Sequence, residues 1–226
     1  MKHLWWLVLV LLAGCESKPQ SADKAALEQV VRVPVSGPER RIVALGDSLF
    51  AGYGLQASQS YPARLEAALR ARGINARIRN AGVSGDTSAD GLARLKFTLD
   101  GWPGDSGAKP DLVLICLGGN DLLRSLPPAQ TRANLAAILA ELDRRRIKAM
   151  LMGMLAPPNL GKDYATQFDG LYPALAHRYH AALEPFILQA VIDHPELKQA
   201  DHIHPTAPGV EAMVSATREN VVKALR

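Results

Sequence analysis

Short, strongly apolar runs alternate along this chain with longer amphipathic segments. The runs have the length of strands, whereas the amphipathic segments repeat their apolar residues with helical spacing. The predicted strands are Ile42–Leu45, Ala76–Asn80, Leu112–Leu117, Ala149–Met154 and Pro185–Leu188. The predicted helices are Tyr61–Arg72, Ser88–Leu99, Ala129–Arg146, Tyr164–Leu183 with an interruption at Pro173, and Thr206–Leu225. This alternation predicts an α/β fold, a three-layer α/β/α sandwich around a mostly parallel sheet of about five strands.

Three polar or proline-rich segments directly follow predicted strands. Ser48 follows the first strand, Gly118-Gly119-Asn120-Asp121 follows a central strand, and Met154–Asn159 follows the next one. In an open parallel sheet, ligands bind beyond the carboxyl ends of the strands. We therefore expect these segments, each predicted as a loop, to gather at one edge of the sheet.

The N-terminus has the layout of an export signal. A short basic start precedes the apolar run Leu4–Ala13, which is too short to span a bilayer comfortably. The run ends in Leu12-Ala13-Gly14-Cys15, which resembles the lipobox of bacterial lipoproteins. We expect residues 1–15 to be a lipoprotein signal peptide with Cys15 lipidated, and Glu16 favours the outer membrane. The alternative is a plain signal peptide with an incidental cysteine.

Residues 16–40 are rich in Ser, Lys, Pro, Gln and Ala, and are expected to form a flexible tether. Residues 41–226 would then form one domain that faces the periplasm, held at the membrane through Cys15. The net charge of +4 is scattered, and aromatic residues make up only 5% of the chain. This composition argues against a nucleic-acid partner, which would need a basic face with stacking aromatics.

Cys116, the only other cysteine, lies in a predicted buried strand. With Cys15 lipidated, no disulfide can form within the chain, and no cysteine pair is available to bind a metal. We expect a monomer.

A serine after a strand is either a turn residue or a nucleophile. As a nucleophile, Ser48 needs a base, a group that orients the base, and donors for an oxyanion. Asp201-His202-Ile203-His204 offers a histidine with a carboxylate three residues before it. The alternative is a zinc cluster of Asp201, His202 and His204. No further histidine motif supports it.

Four separated blocks resemble those of the GDSL, or SGNH, hydrolases. They are Gly46-Asp47-Ser48-Leu49, Asn80–Thr87, Gly118–Asp121 and Asp201–His204 followed by Pro205. Their order and spacing fit the family from Arg41 to the C-terminus. The stretches Ser84–Ser88 and Gly91–Leu95 are most similar to the periplasmic branch of multifunctional thioesterases, proteases, lysophospholipases and arylesterases. His202 departs from the pattern, because this branch usually has a smaller residue there.

The resemblance implies a flavodoxin-like SGNH hydrolase fold and a role for each matched residue. Ser48 would be the nucleophile, His204 the base and Asp201 its orienter. The oxyanion would be bound by the backbone N–H groups of Ser48 and Gly85 and by the side-chain amide of Asn120. Further substrate contacts are expected from Asp47, Leu49, Asp121, Leu155, Pro157 and Pro158, with an apolar trough completed by Leu122, Leu123 and Phe168.

The implied reaction is ester hydrolysis through an acyl-serine, without a cofactor. The expected substrates are small acyl esters, namely aryl esters and short- to medium-chain acyl esters, with thioesters and lysophospholipids as further candidates. One alternative is a deacetylase that removes O-acetyl groups from envelope polysaccharide. The other is a non-catalytic lipoprotein that uses the same fold as a binding module.

Overall fold

A computed structural model describes residues 34–100 and 109–226. Five strands are found within these ranges: β1 Arg40–Gly46, β2 Ala76–Gly82, β3 Leu112–Cys116, β4 Lys148–Met152 and β5 Ala182–Glu184. The α-helices there are α1 Ser48–Ala51, α2 Tyr61–Arg70, α3 Ser88–Asp100, α4 Gly119–Leu123, α5 Pro128–Arg144, α6 Lys162–Asp169, α7 Leu171–Tyr179 and α8 Ala207–Leu225. Short 3₁₀ turns occur at Ala57–Gln59, Pro158–Leu160 and Pro195–Leu197.

The strands form one parallel sheet in the order β2-β1-β3-β4-β5. This is the flavodoxin-like order, and it confirms the predicted α/β fold. In the register of the sheet, Gly46 at the end of β1 lies opposite Gly82 of β2 and Cys116 of β3. The ends of three neighbouring strands are therefore level, and the segments that follow them start side by side.

Helices cover the sheet as two layers. Helix α2 packs against α8, whereas α5 packs against α3 and α7. Every residue of β3 is fully buried, which explains why this strand is a continuous apolar run. Removing a large apolar side chain of this kind from water contributes about 1.5–3 kcal/mol, so the sheet interior is a rigid base for the segments at its edge.

The region after β4 differs from the sequence prediction. Tyr164–Leu183 is not one helix interrupted at Pro173, because the break between α6 and α7 falls at Gly170. Pro173 lies in the first turn of α7, where the backbone N–H has no partner within the helix and proline is tolerated. The last strand precedes Pro185 instead of starting there, since proline has no N–H to continue a ladder.

The predicted signal peptide, Cys15 and residues 16–33 of the predicted tether lie outside the described residues. Residues 34–39 form no helix or strand, and β1 starts at Arg40, one residue before the predicted domain start. No helix within residues 34–100 and 109–226 has the length and apolarity needed to span a bilayer.

Candidate active site

Ser48 is the first residue of α1, directly after β1. The preceding Asp47 caps this short helix, because its Oδ1 atom accepts a hydrogen bond of 3.0 Å from the backbone N–H of Leu49. Ser48 thus lies in a helical turn and not in the predicted loop. The cap places the serine at the helix N-terminus, where backbone N–H groups have no acceptor within the helix.

Ser48, His204 and Asp201 form a hydrogen-bonded chain. The Nε2 atom of His204 lies 2.8 Å from Ser48 Oγ, and its Nδ1 atom lies 2.7 Å from Asp201 Oδ2. The other carboxylate oxygen of Asp201 accepts from the backbone N–H groups of Ile203 and His204, at 2.9 and 3.0 Å. The Asp-x-x-His turn therefore fixes the carboxylate and the imidazole together.

These hydrogen bonds determine which nitrogen of His204 carries the proton. The bond from the His204 side chain, and then those from the backbone, lower the pKa of Asp201 to about 2. An ionised carboxylate only accepts hydrogen bonds, so Nδ1 of His204 donates to it. In the neutral imidazole, Nε2 then has a free lone pair facing the hydroxyl of Ser48. This is the arrangement of a general base in front of a serine nucleophile.

Gly85 and Asn120 line the same cleft as Ser48. Gly85 has a φ of +88°, a conformation that favours glycine, and its carbonyl accepts a 2.8 Å bond from Arg124 Nη2. The side-chain amide of Asn120 donates to the carbonyl of Asp86 at 2.9 Å, which holds its Nδ2 atom in one orientation. The structure thus brings together the three residues predicted as oxyanion donors.

The cleft has a volume of about 500 Å³ and a largely apolar lining. One wall follows β4 and β5, and consists of Met154, Leu155, Pro157, Phe186, Leu188, Val191 and Ile192. Leu122 and Leu123 of α4 line it as well, together with the predicted contact residues Asp47 and Leu49. A cleft of this size and character suits the apolar part of a small ligand.

Three of the predicted contact residues lie elsewhere. Asp121 is 1% exposed and points away from the cleft, where its carboxylate accepts from the hydroxyls of Ser88 and Thr131. Pro158 is exposed on a 3₁₀ turn and does not line the cleft. Phe168 is fully buried in the core against Tyr172.

Residues 44–212 match the model of the GDSL-like lipase/acylhydrolase family. The chain belongs to this family. It is 38% identical to Esterase TesA of Pseudomonas aeruginosa over 196 residues, which cover 87% of this chain and 89% of the relative. It is also 38% identical to Thioesterase 1/protease 1/lysophospholipase L1 of Escherichia coli K12 over 164 residues, or 73% and 74% of the two chains.

A solved structure of AlinE4, an SGNH-hydrolase family esterase, is 61% identical to this chain. The match covers 84% of this chain and 99% of AlinE4, with a TM-score of 0.70. These relatives confirm the family resemblance seen in the four sequence blocks.

His202, which departs from the pattern expected in the sequence, has a strained backbone. Its φ of +60° lies in the left-handed region, where a residue without Cβ is favoured. The side chain lines the cleft beside His204. The zinc alternative is not supported, since the parts of the chain that are described contain no group of three His, Cys, Asp or Glu side chains able to share a metal ion.

Two further side chains at this site have environments that were not predicted from the sequence. Arg94 on α3 donates to Asp86 Oδ2 at 2.6 Å and to the Gly46 carbonyl at 2.9 Å, which ties the segment after β2 to the end of β1. The carboxyl of Asp47 is 2% exposed, and its burial raises its pKa to about 6. Both residues lie in stretches that resemble the family, Gly46–Leu49 and Gly91–Leu95, but the resemblance does not predict the bonds of Arg94 or the burial of Asp47.

Proposed function

We propose that this protein is a serine ester hydrolase with Ser48 as nucleophile, His204 as general base and Asp201 as the residue that orients the base. The observation that carries the proposal is the continuous chain of 2.8 and 2.7 Å hydrogen bonds from Ser48 Oγ through His204 to Asp201. Relatives that are named esterases, and that this chain matches over most of their length, support the same reaction class.

In the proposed reaction, Ser48 Oγ attacks the ester carbonyl carbon while His204 Nε2 takes the hydroxyl proton. The backbone N–H groups of Ser48 and Gly85 and the Asn120 amide donate to the oxyanion that forms. His204 returns the proton to the leaving alcohol, which breaks the ester bond and leaves an acyl-serine. Water then attacks the acyl carbon while His204 Nε2 takes its proton, and the return of that proton to Ser48 Oγ breaks the acyl-serine bond and releases the acid. Asp201 stays ionised throughout and stabilises the imidazolium.

The apolar lining of the cleft favours a substrate whose acyl or aryl group binds there. Its wall after β4 and β5 is aliphatic and aromatic, which favours an acyl chain over the hydroxyl-rich surface of a polysaccharide. We propose aryl esters and short- to medium-chain acyl esters as substrates. Thioesters and lysophospholipids are further candidates, supported by the name of the Escherichia coli relative.

We further propose that lipidated Cys15 anchors this domain at the membrane, with the outer membrane as its location and with the monomer as the working unit. The support for the anchor is the sequence Leu12-Ala13-Gly14-Cys15 after an apolar run, and the support for the outer membrane is Glu16 directly after Cys15. The test is incorporation of labelled palmitate into the full chain in a bacterial host. Label in the wild type and none in Cys15→Ala supports the anchor, whereas label in neither chain contradicts it.

The catalytic proposal is tested by hydrolysis of p-nitrophenyl esters of increasing acyl length, using the full chain in a detergent without ester bonds. Ser48→Ala is expected to lower kcat by at least about 10³-fold. Ser215→Ala, an exposed serine on α8, is the matched control and should retain full activity. Equal activity of wild type and Ser48→Ala would overturn the proposal.

A further inference from the structure

Gln199 connects the segment that carries His204 to the segment that carries Ser48. We propose that Gln199 is a positioning residue that sets the distance and alignment between Ser48 Oγ and His204 Nε2. The proposal rests on the proposed esterase reaction, because it assigns Gln199 a role in the same proton transfer.

The side-chain amide of Gln199 donates two hydrogen bonds. Its Nε2 atom lies 2.7 Å from the carbonyl oxygen of Tyr53 and 2.9 Å from that of Pro205. The backbone of Gln199 is used as well: its N–H donates to the His204 carbonyl at 2.8 Å, and its carbonyl accepts from the His202 N–H at 2.9 Å. The half-buried side chain of Gln199 thus stabilises the segment that carries His204 and ties it to Tyr53, which is distant in the sequence.

Tyr53 connects Gln199 to Ser48. Its backbone N–H donates to the Ser48 carbonyl at 3.2 Å. A path of hydrogen bonds therefore runs from Ser48 through Tyr53 and Gln199 to His204. The reacting pair, Ser48 Oγ and His204 Nε2, closes this path into a ring. Each member of the ring limits how far the two reacting atoms can separate.

The ring of Tyr53 also packs against the imidazole of His204. The centroid of the Tyr53 ring lies 4.5 Å from that of the His204 imidazole, with 35° between the planes. Gly54, with a φ of +73°, lets the two segments approach, because a Cβ there would lie 2.3 Å from Gln199 Oε1. The Tyr53 ring therefore restricts tilting of the imidazole, and Gln199 holds that ring's backbone in place.

Proton transfer between a serine and a histidine depends steeply on this alignment. Misplacement of a catalytic group by about 1 Å costs on the order of 10²-fold in rate. Loss of the two amide hydrogen bonds is therefore expected to lower kcat by about 10- to 100-fold. KM should change less than kcat, since Gln199 does not line the cleft and the lining residue Tyr53 loses only a donor to its backbone carbonyl.

The test compares Gln199→Met and Gln199→Glu in the full chain with p-nitrophenyl butyrate as substrate. Both variants nearly keep the shape of glutamine, and both lose the Nε2 donor. Gln130→Met, an exposed position on α5, is the matched control. A similar loss of kcat in both variants, with KM and the thermal midpoint little changed, supports positioning. If either variant keeps kcat within twofold of wild type, Gln199 only fills space behind Gly54 and the proposal is overturned.

A second readout does not depend on activity. The ¹⁵N chemical shift of His204 Nε2 reports the hydrogen bond with Ser48 Oγ, and Ser48→Ala gives the value without that bond. A shift in Gln199→Met towards the Ser48→Ala value supports positioning, and the wild-type value contradicts it. If wild type shows no hydrolysis that depends on Ser48, the proposed function fails, and this chemical shift alone decides the role of Gln199.

Discussion

His204 Nε2 lies 2.8 Å from Ser48 Oγ, although the two residues are 156 positions apart in the sequence. Ser48 begins the helix that follows β1, and His204 lies in the segment between β5 and α8. Their approach depends on a parallel sheet that brings distant segments to one edge and on local bonds that orient each segment. Changes in these supports should affect stability and catalysis, whereas changes in the cleft wall should affect the choice of substrate.

Asp47→Asn is expected to change how stability depends on pH. Burial raises the pKa of Asp47 from 3.8 to about 6, so the folded state favours the protonated carboxyl. The stability from this group is fully present below pH 3.8 and is lost as the pH rises towards 6, a loss of roughly 3 kcal/mol. Asparagine cannot ionise, so the variant should gain stability relative to wild type across this interval.

The measurement is urea unfolding of both proteins at pH 4, 5, 6 and 7. Asp143→Asn, an exposed aspartate on α5, is the control and should track the wild type. A stability difference between Asp47→Asn and wild type that stays constant from pH 4 to 7 would contradict the raised pKa.

Arg94→Met is expected to destabilise the protein by about 2–4 kcal/mol, because it leaves the largely buried carboxylate of Asp86 without its charge partner. The substitution also removes the donor to the Gly46 carbonyl at the end of β1, so we expect a lower kcat in addition to the loss of stability. Thermal unfolding measures the first effect. Arg72→Met, which breaks the exposed pair with Glu219, is the control and should cost less than about 1 kcal/mol. An equal cost for both variants would show that Asp86 does not need Arg94.

Leu188→Trp is expected to shift the preference towards shorter acyl groups. The larger side chain fills part of the apolar wall after β5, while the triad stays in place. The ratio of kcat/KM for p-nitrophenyl octanoate to that for the acetate should fall about tenfold or more. Phe97→Trp, at an 84% exposed position on α3, is the control. A uniform loss across all acyl lengths would mean that the chain does not bind along this wall.

His202→Gly is expected to stabilise the fold by about 0.5–1 kcal/mol. The backbone of His202 is in a left-handed conformation that costs energy for a residue with a Cβ atom. His202→Ala keeps the Cβ atom and should give no such gain. Chemical denaturation of the two variants separates backbone strain from the loss of the imidazole. If alanine stabilises as much as glycine, the imidazole and not the backbone is responsible.

The strands of the sheet centre were predictable because burial on both faces leaves a continuous apolar run, as in Leu112–Cys116. The short edge strand β5 has only three partly buried residues and carries no such signal. Helices α1 and α4 are also too short to show a period. Asp47 caps α1, and α4 is held to its neighbours through the bonds of Asp121 with Ser88 and Thr131.

The four sequence blocks identified the residues that meet at the cleft, but not the direction of each side chain. Asn120 and Asp121 are neighbours, yet successive residues of a helix point about 100° apart. One therefore faces the cleft, and the other is buried against Ser88. The roles of Gln199 and Arg94 were not predicted, although Arg94 lies in the family-like stretch Gly91–Leu95, because both side chains bond to backbone carbonyls of distant segments.

The division of the cleft along the sheet edge has a consequence for laboratory evolution. The proposed nucleophile and oxyanion donors follow β1, β2 and β3, whereas the apolar wall follows β4 and β5 and precedes the segment that carries His204. Libraries confined to residues 154–157 and 186–192 would therefore sample new acyl preferences while the reacting atoms keep their alignment. Exchange of these two segments can therefore change the selectivity for the acyl group while the reaction itself stays the same.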